Sequence, residues 1–578
     1  MADYKAEYLR WSASPVVDEE TRKELAAIAG DEKEIEERFY RELEFGTGGM
    51  RGILGAGINR MNIYTVRRAS QGVSKYVLGL GEKQAKAGVL IGYDTRNFSR
   101  VFAEESARVF AANGVKAYLF DKVHSVPEVS FGIRELGCAA GVMITASHNP
   151  KEYNGYKVYG GDGCQLPPDG AAVVLDAIGS FDIFDDIRLI NLDEALENGM
   201  VEMVGAEQDK KFIETIKKQQ LNPDAVKAVA DSFKLIYTPF HGTGSRPVQT
   251  ILKEMGFQNV LIVKEQDTED GNFPTVKSPN PEDKEGFSIA IEMAKKNDID
   301  LIIGTDPDCD RVGIVVRDKD GVYQTMTGNQ TGALLTEYIL ASRKAAGNLP
   351  KNGVVIKTIV TTELAAAIAK AYGAAVVDVL TGFKYIGEKM TEYEETKQYT
   401  YLFGFEESYG CLPGTYARDK DGVAATMLIA EMAAWYKTKN MSLYEAMQEI
   451  YQKYGFYYEH TVSFTMPGKD GMEKMAALMQ QLREQPPLLV NGMEVVSCAD
   501  YKTQKITEKN GAETPIEGLP KSDVLKYDLS DGKTYFIVRP SGTEPKIKIY
   551  LASSQESMSS AEKVVQNVLV DLKEQLGL

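Results

Sequence analysis

The chain contains one order of segments three times: an apolar strand, a polar turn, a helix that ends near a glycine, and a second apolar strand. The first copy runs VLIGYDTR, FAEESARVFAANG, VKAYLF; the second LIYTPFHGTG, VQTILKEMG, VLIV; the third VVIKTIVTT, ELAAAIAKAYG, AVVDVL. This order is typical of βαβ crossover units, whose two strands are parallel. The sequence therefore predicts an α/β protein built from repeated units.

The length of 578 residues exceeds what a single hydrophobic core supports, so several domains are expected. We place them at residues 1–205, 206–325, 326–456 and 457–578. The last segment differs from the others, because it contains short strands, including KTYFIVRP and KIKIYLASS, and a closing amphipathic helix over 559–576. It is predicted to be a small α+β domain.

Composition limits the classes of function. No apolar run approaches the roughly 18 residues that cross a bilayer, and the first residues, MADYKAEYLRWSAS, lack the apolar core of a signal peptide. The five cysteines are scattered without a CxxC pair, which indicates reduced thiols and a cytoplasmic protein. The net charge of −17 disfavours nucleic acid, and an anionic substrate would need a locally basic site. We expect neither a nucleic-acid nor a membrane partner.

Downstream of each unit, a further apolar strand ends in a polar loop. The three stretches are GVMITASHNP, LIIGTDPDCD and YLFGFEESYG. Ligands of open α/β sheets bind beyond the carboxyl ends of the strands, so the three loops are predicted to contribute to one cleft. The alternative is that three ordinary βα loops happen to be polar.

The aspartate loop, residues 306–311, alternates Asp306, Asp308 and Asp310 with Pro307 and Cys309. In extended backbone this spacing projects the carboxylates to one side, and three oxygen ligands suit Mg²⁺. An EF-hand is excluded because Arg311 and Arg317 occupy its glycine and glutamate positions. A solvated acidic turn is the plain alternative, but it leaves Arg311 beside the carboxylates unexplained.

The serine loop, residues 145–150, reads TASHNP, and its Ser147 could present a hydroxyl to the cleft. A serine needs a base or a metal to react, so the serine and aspartate loops would explain each other. His148 could orient Ser147 or simply bond to backbone. Lys157 could act as acid or base if nearby cations lowered its pKa, and Lys384 is a second candidate. An Asx-type turn with a capping serine remains the structural alternative.

Three further segments carry polar groups suited to a phosphorylated sugar. Glu406 and Ser408, two apart, could grip neighbouring ring hydroxyls or cap a helix. RPSGTEPK, residues 539–546, has the inventory of a phosphate cradle, although it could be a surface hairpin. GTGGMRG supplies Arg51 in a glycine-rich loop, and the chain has no GxGxxG fingerprint after a strand, which disfavours nucleotide binding.

The motifs GTGGMRG, TASHNP, DPDCDR, GFEES and RPSGTEPK, in this order across nearly the whole chain, resemble the α-D-phosphohexomutase superfamily. GTGGMRGILGAGINRMN and TGFKYIG are similar to bacterial phosphoglucomutases near the phosphopentomutase and glucose-1,6-bisphosphate synthase branch. The resemblance implies three α/β mixed-sheet domains and a C-terminal α+β domain of the TATA-box-binding-protein-like kind around one central cleft.

The resemblance also implies roles for individual residues. Ser147 would be the phosphoserine and would bind Mg²⁺ together with the three aspartates. The transferring phosphoryl group would be surrounded by Arg51, Lys157 and Arg311, with His148 and Lys384 as further catalytic candidates. Sugar hydroxyls would be held by Glu406 and Ser408. The phosphate that does not react would be bound by Arg539, Ser541, Gly542, Thr543 and Lys546.

The expected activity is interconversion of glucose 1-phosphate and glucose 6-phosphate, with glucose 1,6-bisphosphate as intermediate and activator. The expected partners are small-molecule sugar phosphates, and the protein is expected to be a monomer or weak homodimer. KEYNGYKVYG departs from the glycine-rich form of the commonest phosphoglucomutases, whereas Ser408 favours a hexose over a pentose. The alternatives are a phosphopentomutase, a phosphomannomutase, a glucose-1,6-bisphosphate synthase, a Mg²⁺ phosphatase and a non-catalytic phosphosugar-binding protein.

Overall fold

The computed structural model describes residues 3–46, 48–466, 468–541 and 546–577, with the side chains of 468–470 excepted. The chain divides into two compact units. Unit 1 comprises Met1–Thr327, Ile386–Lys397 and Ser408–Asn440. Unit 2 comprises Gly328–Tyr385, Gln398–Glu407 and Met441–Leu578.

Unit 1 begins with a mixed sheet in the strand order β1-β2-β6-β5-β3-β4-β7. Its strands are β1 (Phe45–Gly46), β2 (Gly49–Ile53), β3 (Val89–Tyr93), β4 (Ala117–Phe120), β5 (Ala140–Ile144), β6 (Tyr153–Gly160) and β7 (Val201–Val204). β3, β4, β5 and β7 are parallel, and β6 is antiparallel to both β5 and β2. β3 and β5 are buried along their whole length, as expected of central parallel strands.

Helices form the N-terminal segment and cover this sheet. They are α1 (Tyr4–Ala13), α2 (Glu19–Ala27), α3 (Glu32–Phe39), α4 (Ile63–Gly79), α5 (Glu82–Ala87), α6 (Ser99–Ala112), α7 (Val126–Leu136), α8 (Pro168–Gly179), α9 (Leu192–Glu197) and α10 (Ala206–Lys217). α7 begins with a capping box between Ser125 and Glu128, which satisfies its first backbone N–H groups. Trp11, Phe39 and Tyr64 form a small core of their own under the N-terminal helices, which the sequence analysis did not predict.

The second sheet of unit 1 has the order β12-β11-β10-β8-β9. Its strands are β8 (Lys234–Thr238), β9 (Asn259–Ile262), β10 (Leu301–Thr305), β11 (Val312–Arg317) and β12 (Tyr323–Met326). β9, β8 and β10 are parallel, whereas β11 and β12 return antiparallel. The accompanying helices are α11 (Pro223–Val229), α12 (Ser245–Met255) and α13 (Ser288–Asn297), with 3₁₀ turns at Lys264–Gln266 and Lys284–Phe287.

Unit 2 contains a parallel arrangement in which β13 pairs with β14 and β15. Its elements are α14 (Gly328–Ala345), β13 (Gly353–Thr358), α15 (Glu363–Ala371), β14 (Ala375–Val379) and, after a helix α16 (Phe383–Thr396), β15 (Thr400–Phe405). From Ile386 onward α16 belongs to unit 1, to which β16 (Cys411–Leu412) and α17 (Gly422–Lys437) also belong. α18 (Leu443–Tyr454) returns the chain to unit 2.

The C-terminal part of unit 2 is an antiparallel sheet in the order β17-β24-β23-β22-β19-β20-β21, with β18 on β19. Its strands are β17 (Phe456–Thr465), β18 (Leu489–Val490), β19 (Met493–Asp500), β20 (Lys505–Glu508), β21 (Glu513–Pro515), β22 (Leu525–Leu529), β23 (Thr534–Pro540) and β24 (Lys546–Gln555). Its helices are α19 (Gly468–Glu484) and α20 (Met558–Leu576). Side chains of α20, such as Val565 and Leu572, share a core with β23 and β24.

The predicted fold class is confirmed, because each repeated pattern forms a βαβ unit and the last part is α+β. All five cysteines are free. In the part of the chain that the structure describes, no helix combines the length and apolarity that a bilayer crossing requires.

Candidate active site

The serine loop follows β5, and Ser147 lies almost completely buried at its centre. Its Oγ donates a hydrogen bond to Asp306 Oδ2 at 2.8 Å and lies 3.2 Å from His148 Nδ1. The backbone at Ser147 is left-handed, with φ of 51°, which is a strained conformation for a residue with a Cβ. The Ser147 N–H donates to Thr145 Oγ1 at 2.8 Å, so the turn is held locally as well.

The aspartate loop follows β10, and carboxylate oxygens of Asp306, Asp308 and Asp310 lie within 4.8 Å of one another. The predicted convergence is therefore present, but the predicted extended backbone is wrong. Cys309 has φ of 53°, and its N–H donates to Asp306 O at 2.9 Å, which makes the segment a tight turn. The N–H groups of Asp310 and Arg311 donate to Asp306 Oδ1 at 3.1 and 3.0 Å and fix that carboxylate.

The chemistry of this cluster fits a divalent cation. Asp308 Oδ1 and Asp310 Oδ1 are buried, and neither has a hydrogen-bond partner among the described residues. Burial, with repulsion from Asp308 and Asp310, raises the pKa of Asp306 well above its usual range. A buried group of carboxylates with unused oxygens is costly without a cation, so the three aspartates could bind a metal.

Lys157 approaches the aspartates from β6, where it pairs with Met143 of the neighbouring β5. Its Nζ lies 2.9 Å from Asp308 Oδ2 and 3.3 Å from Asp310 Oδ2. Although burial disfavours the ammonium, these two carboxylates raise the pKa of Lys157 above its ordinary value. The direction is opposite to the lowered pKa considered from sequence, because the nearest groups are anions.

Lys420 is a cation of this cluster that sequence reasoning missed. Its Nζ lies 3.2 Å from Asp310 Oδ2 and 3.3 Å from Asp419 Oδ1. Although burial acts against ionisation, Lys420 and Lys157 hold the pKa of Asp310 below its usual range. The run ARDKDG, residues 417–422, was the available signal, because it places alternating charges in a segment that is otherwise apolar.

The segment around Lys420 also touches the aspartate loop through its backbone. Gly422 N–H donates to Cys309 O at 2.9 Å. Asp419 accepts from Tyr159 OH at 2.9 Å and from Gln165 Nε2 at 3.2 Å, which ties it to the sheet that carries Lys157. The residues on either side of Lys420 in the chain are therefore bonded to the aspartate loop and to the first sheet.

His148 is partly buried beside Ser147. Burial, together with the positive charges of Arg311 and Arg51, lowers the pKa of His148 well below its ordinary value. A neutral imidazole can accept a proton, and its Nδ1 is the ring atom near Ser147 Oγ. The backbone O of His148 accepts a hydrogen bond from Ser278 Oγ at 2.7 Å.

Arg51 contacts the serine loop, and Arg311 lies at the end of the aspartate loop. Arg51, on β2, donates from Nη1 to Asn149 Oδ1 of the serine loop at 2.9 Å. Gly155, which faces Arg51 on β6, allows this close packing, because a Cβ there would lie 2.4 Å from Thr145 O. Arg311 pairs with Glu282 at 3.1 Å, and its Nε lies 3.9 Å from Asp310 Oδ1.

The segment predicted to hold the sugar divides between the two units. In unit 2, Glu406 is buried, and its Oε1 accepts a hydrogen bond from Gly382 N–H at 2.9 Å. Lys384 is also in unit 2, where its Nζ lies 4.9 Å from the ring centroid of Tyr385. Ser408 is in unit 1, and the next residue, Tyr409, accepts from Val312 N–H at 3.0 Å. Ser408 therefore lies near the end of the aspartate loop.

The predicted phosphate cradle lies in unit 2 between β23 and β24. Nε of Arg539 is buried and has no hydrogen-bond partner in the described part of the chain. Ser541 N–H donates to Lys546 O at 2.7 Å, which extends the antiparallel pairing of β23 with β24. Gly542 and Thr543 lie outside the described residues. The strands thus form the hairpin that the sequence analysis considered as the alternative, and a hairpin does not exclude a phosphate site.

Comparisons with known proteins cover most of the chain. Four family models match it: phosphoglucomutase/phosphomannomutase alpha/beta/alpha domain I at 42–180, domain II at 210–321, domain III at 327–454 and the C-terminal domain at 487–568. A phosphoglucomutase of Staphylococcus haemolyticus is 36% identical over 534 residues, which are 92% of this chain and 94% of the relative. One of Staphylococcus aureus strain USA300 is 34% identical over 531 residues, 90% and 92% of the two chains.

Solved structures agree in fold. The Paramecium phosphoprotein pp63/parafusin, a phosphoglucomutase in its open form, superposes with a TM-score of 0.67 at 17% identity and covers 93% of this chain and 96% of its own. A phosphoglucomutase/phosphomannomutase family protein of Burkholderia thailandensis has a TM-score of 0.64 at 17% identity, with coverage of 92% and 97%. At these identities the likeness concerns the fold alone.

Proposed function

Because the chain belongs to the phosphoglucomutase/phosphomannomutase family, we propose that it interconverts glucose 1-phosphate and glucose 6-phosphate through phosphorylated Ser147. The observation that carries the proposal is the 2.8 Å hydrogen bond between Ser147 Oγ and Asp306 Oδ2, inside a buried group of three aspartates. A serine hydroxyl bonded to a carboxylate of a candidate metal site suits phosphoryl transfer through a phosphoserine.

In the proposed cycle, phosphorylated Ser147 gives its phosphoryl group to a free hydroxyl of the bound sugar phosphate. The P–O bond to Ser147 Oγ breaks and a P–O bond to the sugar oxygen forms, while the sugar hydroxyl loses one proton and Ser147 Oγ gains one, so that the serine hydroxyl is restored. The resulting glucose 1,6-bisphosphate reorients within the site. Its other phosphoryl group is then transferred to Ser147 Oγ. The bisphosphate is thus both intermediate and activator.

Mg²⁺ held by Asp306, Asp308 and Asp310 with phosphorylated Ser147 would neutralise charge on the phosphoryl group during transfer. The side chains of this protein supply the rest of the electrostatic stabilisation. Lys157 and Lys420 offset the aspartates, and Arg51 and Arg311 lie beside the serine loop and the aspartate loop. Their fixed positions mean that little reorganisation is needed during the reaction.

We propose His148 as the group that exchanges the proton with Ser147 Oγ, because its Nδ1 is 3.2 Å away and its lowered pKa favours the neutral imidazole. Lys157 is then a fixed ammonium that attracts the phosphoryl oxygens, since its pKa is raised. Lys384 stays a candidate for proton transfer at the sugar hydroxyl.

Substrate contacts are proposed from the motifs. Glu406 and Ser408 would accept or donate hydrogen bonds to sugar hydroxyls. The phosphate that does not react would be bound by Arg539, Ser541, Gly542, Thr543 and Lys546. The buried Arg539 Nε without a partner among the described residues supports an anion there.

Four domains at 1–205, 206–325, 326–456 and 457–578 remain our proposal for the chain. Each family match lies inside one of these segments, which supports the division. We also propose a cytoplasmic protein, a monomer or weak homodimer, whose partners are sugar phosphates.

The proposed function is tested by measuring kcat/KM with Mg²⁺ and a trace of glucose 1,6-bisphosphate for glucose 1-phosphate, mannose 1-phosphate and ribose 1-phosphate. Glucose 1-phosphate is expected to give the highest value. Ser147→Ala should lower kcat by about 10⁴-fold or more, whereas Ser180→Ala should not change it. Release of inorganic phosphate without isomerisation, or full activity in Ser147→Ala, would contradict the proposal.

A further inference from the structure

Four backbone carbonyls at and just after Ser147 accept hydrogen bonds from one side chain outside the serine loop, that of Arg96. Arg96 Nη2 donates to Ser147 O and to Asn149 O, each at 2.5 Å. Arg96 Nη1 donates to Pro150 O at 2.9 Å and to Tyr153 O at 3.0 Å. One guanidinium therefore satisfies four carbonyls at and just after the strained residue.

Arg96 is itself fixed from several directions. Its side chain is completely buried, and its Nε lies 3.3 Å from Asp94 Oδ2, which is buried as well. The guanidinium also lies over the ring of Phe273, with 5.0 Å to the centroid. Asp94 is anchored in turn by Ser99 Oγ, which donates to its Oδ1 at 2.7 Å. These contacts hold the guanidinium of Arg96 on the carboxylate side, on the ring side and on the side of the serine loop.

We propose that Arg96 is a positioning residue that holds Ser147 in its left-handed conformation with Oγ directed at the aspartate loop. The φ of 51° at Ser147 is unfavourable by itself, so the surrounding contacts must impose it. Arg96 supplies those contacts on the carbonyl side, and Thr145 supplies one on the amide side. The guanidinium touches no reacting atom, and its effect is on the position of Ser147 Oγ.

The consequence for the reaction rests on the proposed function. A displacement of a reacting atom by about 1 Å can lower a rate about 10²-fold without weakening substrate binding. If Arg96 positions Ser147, its loss should lower kcat while KM is retained. A residue that only stabilises the fold would instead lower the amount of folded enzyme and leave kcat per folded molecule unchanged.

The test uses Arg96→Lys, which keeps the positive charge beside Asp94 but cannot reach the four carbonyls together. Arg60→Lys is the matched control, because Arg60 is also buried, pairs with Glu37 at 3.3 Å and bonds to Asn59 O, away from the serine loop. Thermal unfolding, kcat and KM are measured for both variants. Amide hydrogen exchange of peptides that cover 145–150 is measured in the same preparations.

For Arg96→Lys we expect exchange in 145–150 to be at least about 10-fold faster, with kcat about 10²-fold lower and KM within about 3-fold of the wild type. Arg60→Lys should leave both the exchange of this peptide and kcat unchanged. Unchanged exchange in Arg96→Lys, or an equal change in Arg60→Lys, would overturn the proposal. Because exchange needs no activity, a wild-type protein without mutase activity would refute the proposed function and still leave Arg96 testable.

Phe273→Leu is the second variant in case Arg96→Lys does not fold. It removes the ring under the guanidinium and leaves the charge pair with Asp94 intact. Amide exchange over 145–150 should increase, but less than in Arg96→Lys. Exchange of peptides remote from the serine loop should not change. No increase would again contradict a positioning role.

Discussion

The serine loop and the aspartate loop are built alike but held differently. Both follow a buried parallel strand, and both place a residue other than glycine in the left-handed region, Ser147 and Cys309. The serine loop is held at its backbone carbonyls by one guanidinium, whereas the aspartate loop is balanced at its carboxylates by the ammonium groups of Lys157 and Lys420. The contacts of the serine loop thus concern the position of Ser147 Oγ, whereas those of the aspartate loop concern the balance of its negative charge.

The largest effect on kcat is expected when the negative charge of the aspartate loop is reduced. Asp308→Asn should lower kcat about 10³-fold, because it replaces a charged carboxylate of the metal site by a neutral amide and removes the negative charge that pairs with Lys157. Removal of divalent cations with a chelator should abolish turnover of the wild type, and added Mg²⁺ should restore the wild type but not the variant. Asp300→Asn changes an ion-paired aspartate just before β10, at the end of the strand away from the aspartate loop; it is the control and should keep normal kcat.

The two lysines should differ in their contribution to turnover. Lys157 lies near two carboxylates of the triad and Lys420 near one, so Lys157→Met should lower kcat about 10²-fold and Lys420→Met by less. Lys116→Met, an ion-paired lysine on the outer side of the first sheet, serves as the control. A larger loss in Lys420→Met would mean that Asp310 matters more than Asp308 for charge balance.

Strain at the serine loop predicts a stability difference between two inactive variants. The free energy of unfolding should be about 1 kcal/mol higher for Ser147→Gly than for Ser147→Ala. Glycine adopts a positive φ without the steric penalty that a Cβ brings at this position. Urea denaturation of both proteins measures the difference. Equal stabilities would show that the left-handed conformation at Ser147 carries no strain.

The smallest expected effect is a pH dependence of stability that arises at His124, close to a backbone contact of the aspartate loop. Val126 N–H donates to Asp308 O at 2.9 Å, and the same turn carries His124, whose Nε2 is 2.6 Å from Asp209 Oδ1. Although burial disfavours the imidazolium, Glu128 and Asp209 raise the pKa of His124 above 6.5. Since the folded-state pKa is the higher one, the stabilisation is complete below pH 6.5 and is lost as pH rises through the folded-state pKa.

Thermal unfolding of wild type and His124→Gln between pH 5.5 and about 9 checks this sign. The stability advantage of the wild type should shrink as pH rises. His460→Gln is the contrasting variant, because burial lowers the pKa of His460 and the pH dependence it contributes has the opposite sign. A wild-type advantage in the His124 comparison that grows with pH would contradict the account.

The sequence was sufficient for features that depend on neighbouring residues. Strand ends followed by polar residues located Ser147 and the three aspartates, and the repeated pattern predicted the fold class. The sequence was not sufficient for two distant contacts. Lys420 reaches Asp310 across 110 positions of the chain, and Arg96 reaches the serine loop across about 50. The extended backbone expected for the aspartate loop is wrong, and the pKa of Lys157 is raised, whereas the sequence allowed a lowered pKa if cations were near, because both properties depend on three-dimensional neighbours.

The most direct test of the central claim is the phosphorylation state of Ser147 during turnover. Purified protein is incubated with glucose 1,6-bisphosphate and Mg²⁺, and peptides are analysed by mass spectrometry before and after a short pulse of glucose 1-phosphate. We predict one phosphoryl group on the peptide that contains Ser147, lost to the sugar at a rate no slower than kcat. An active preparation in which Ser147 never carries a phosphoryl group would contradict the account.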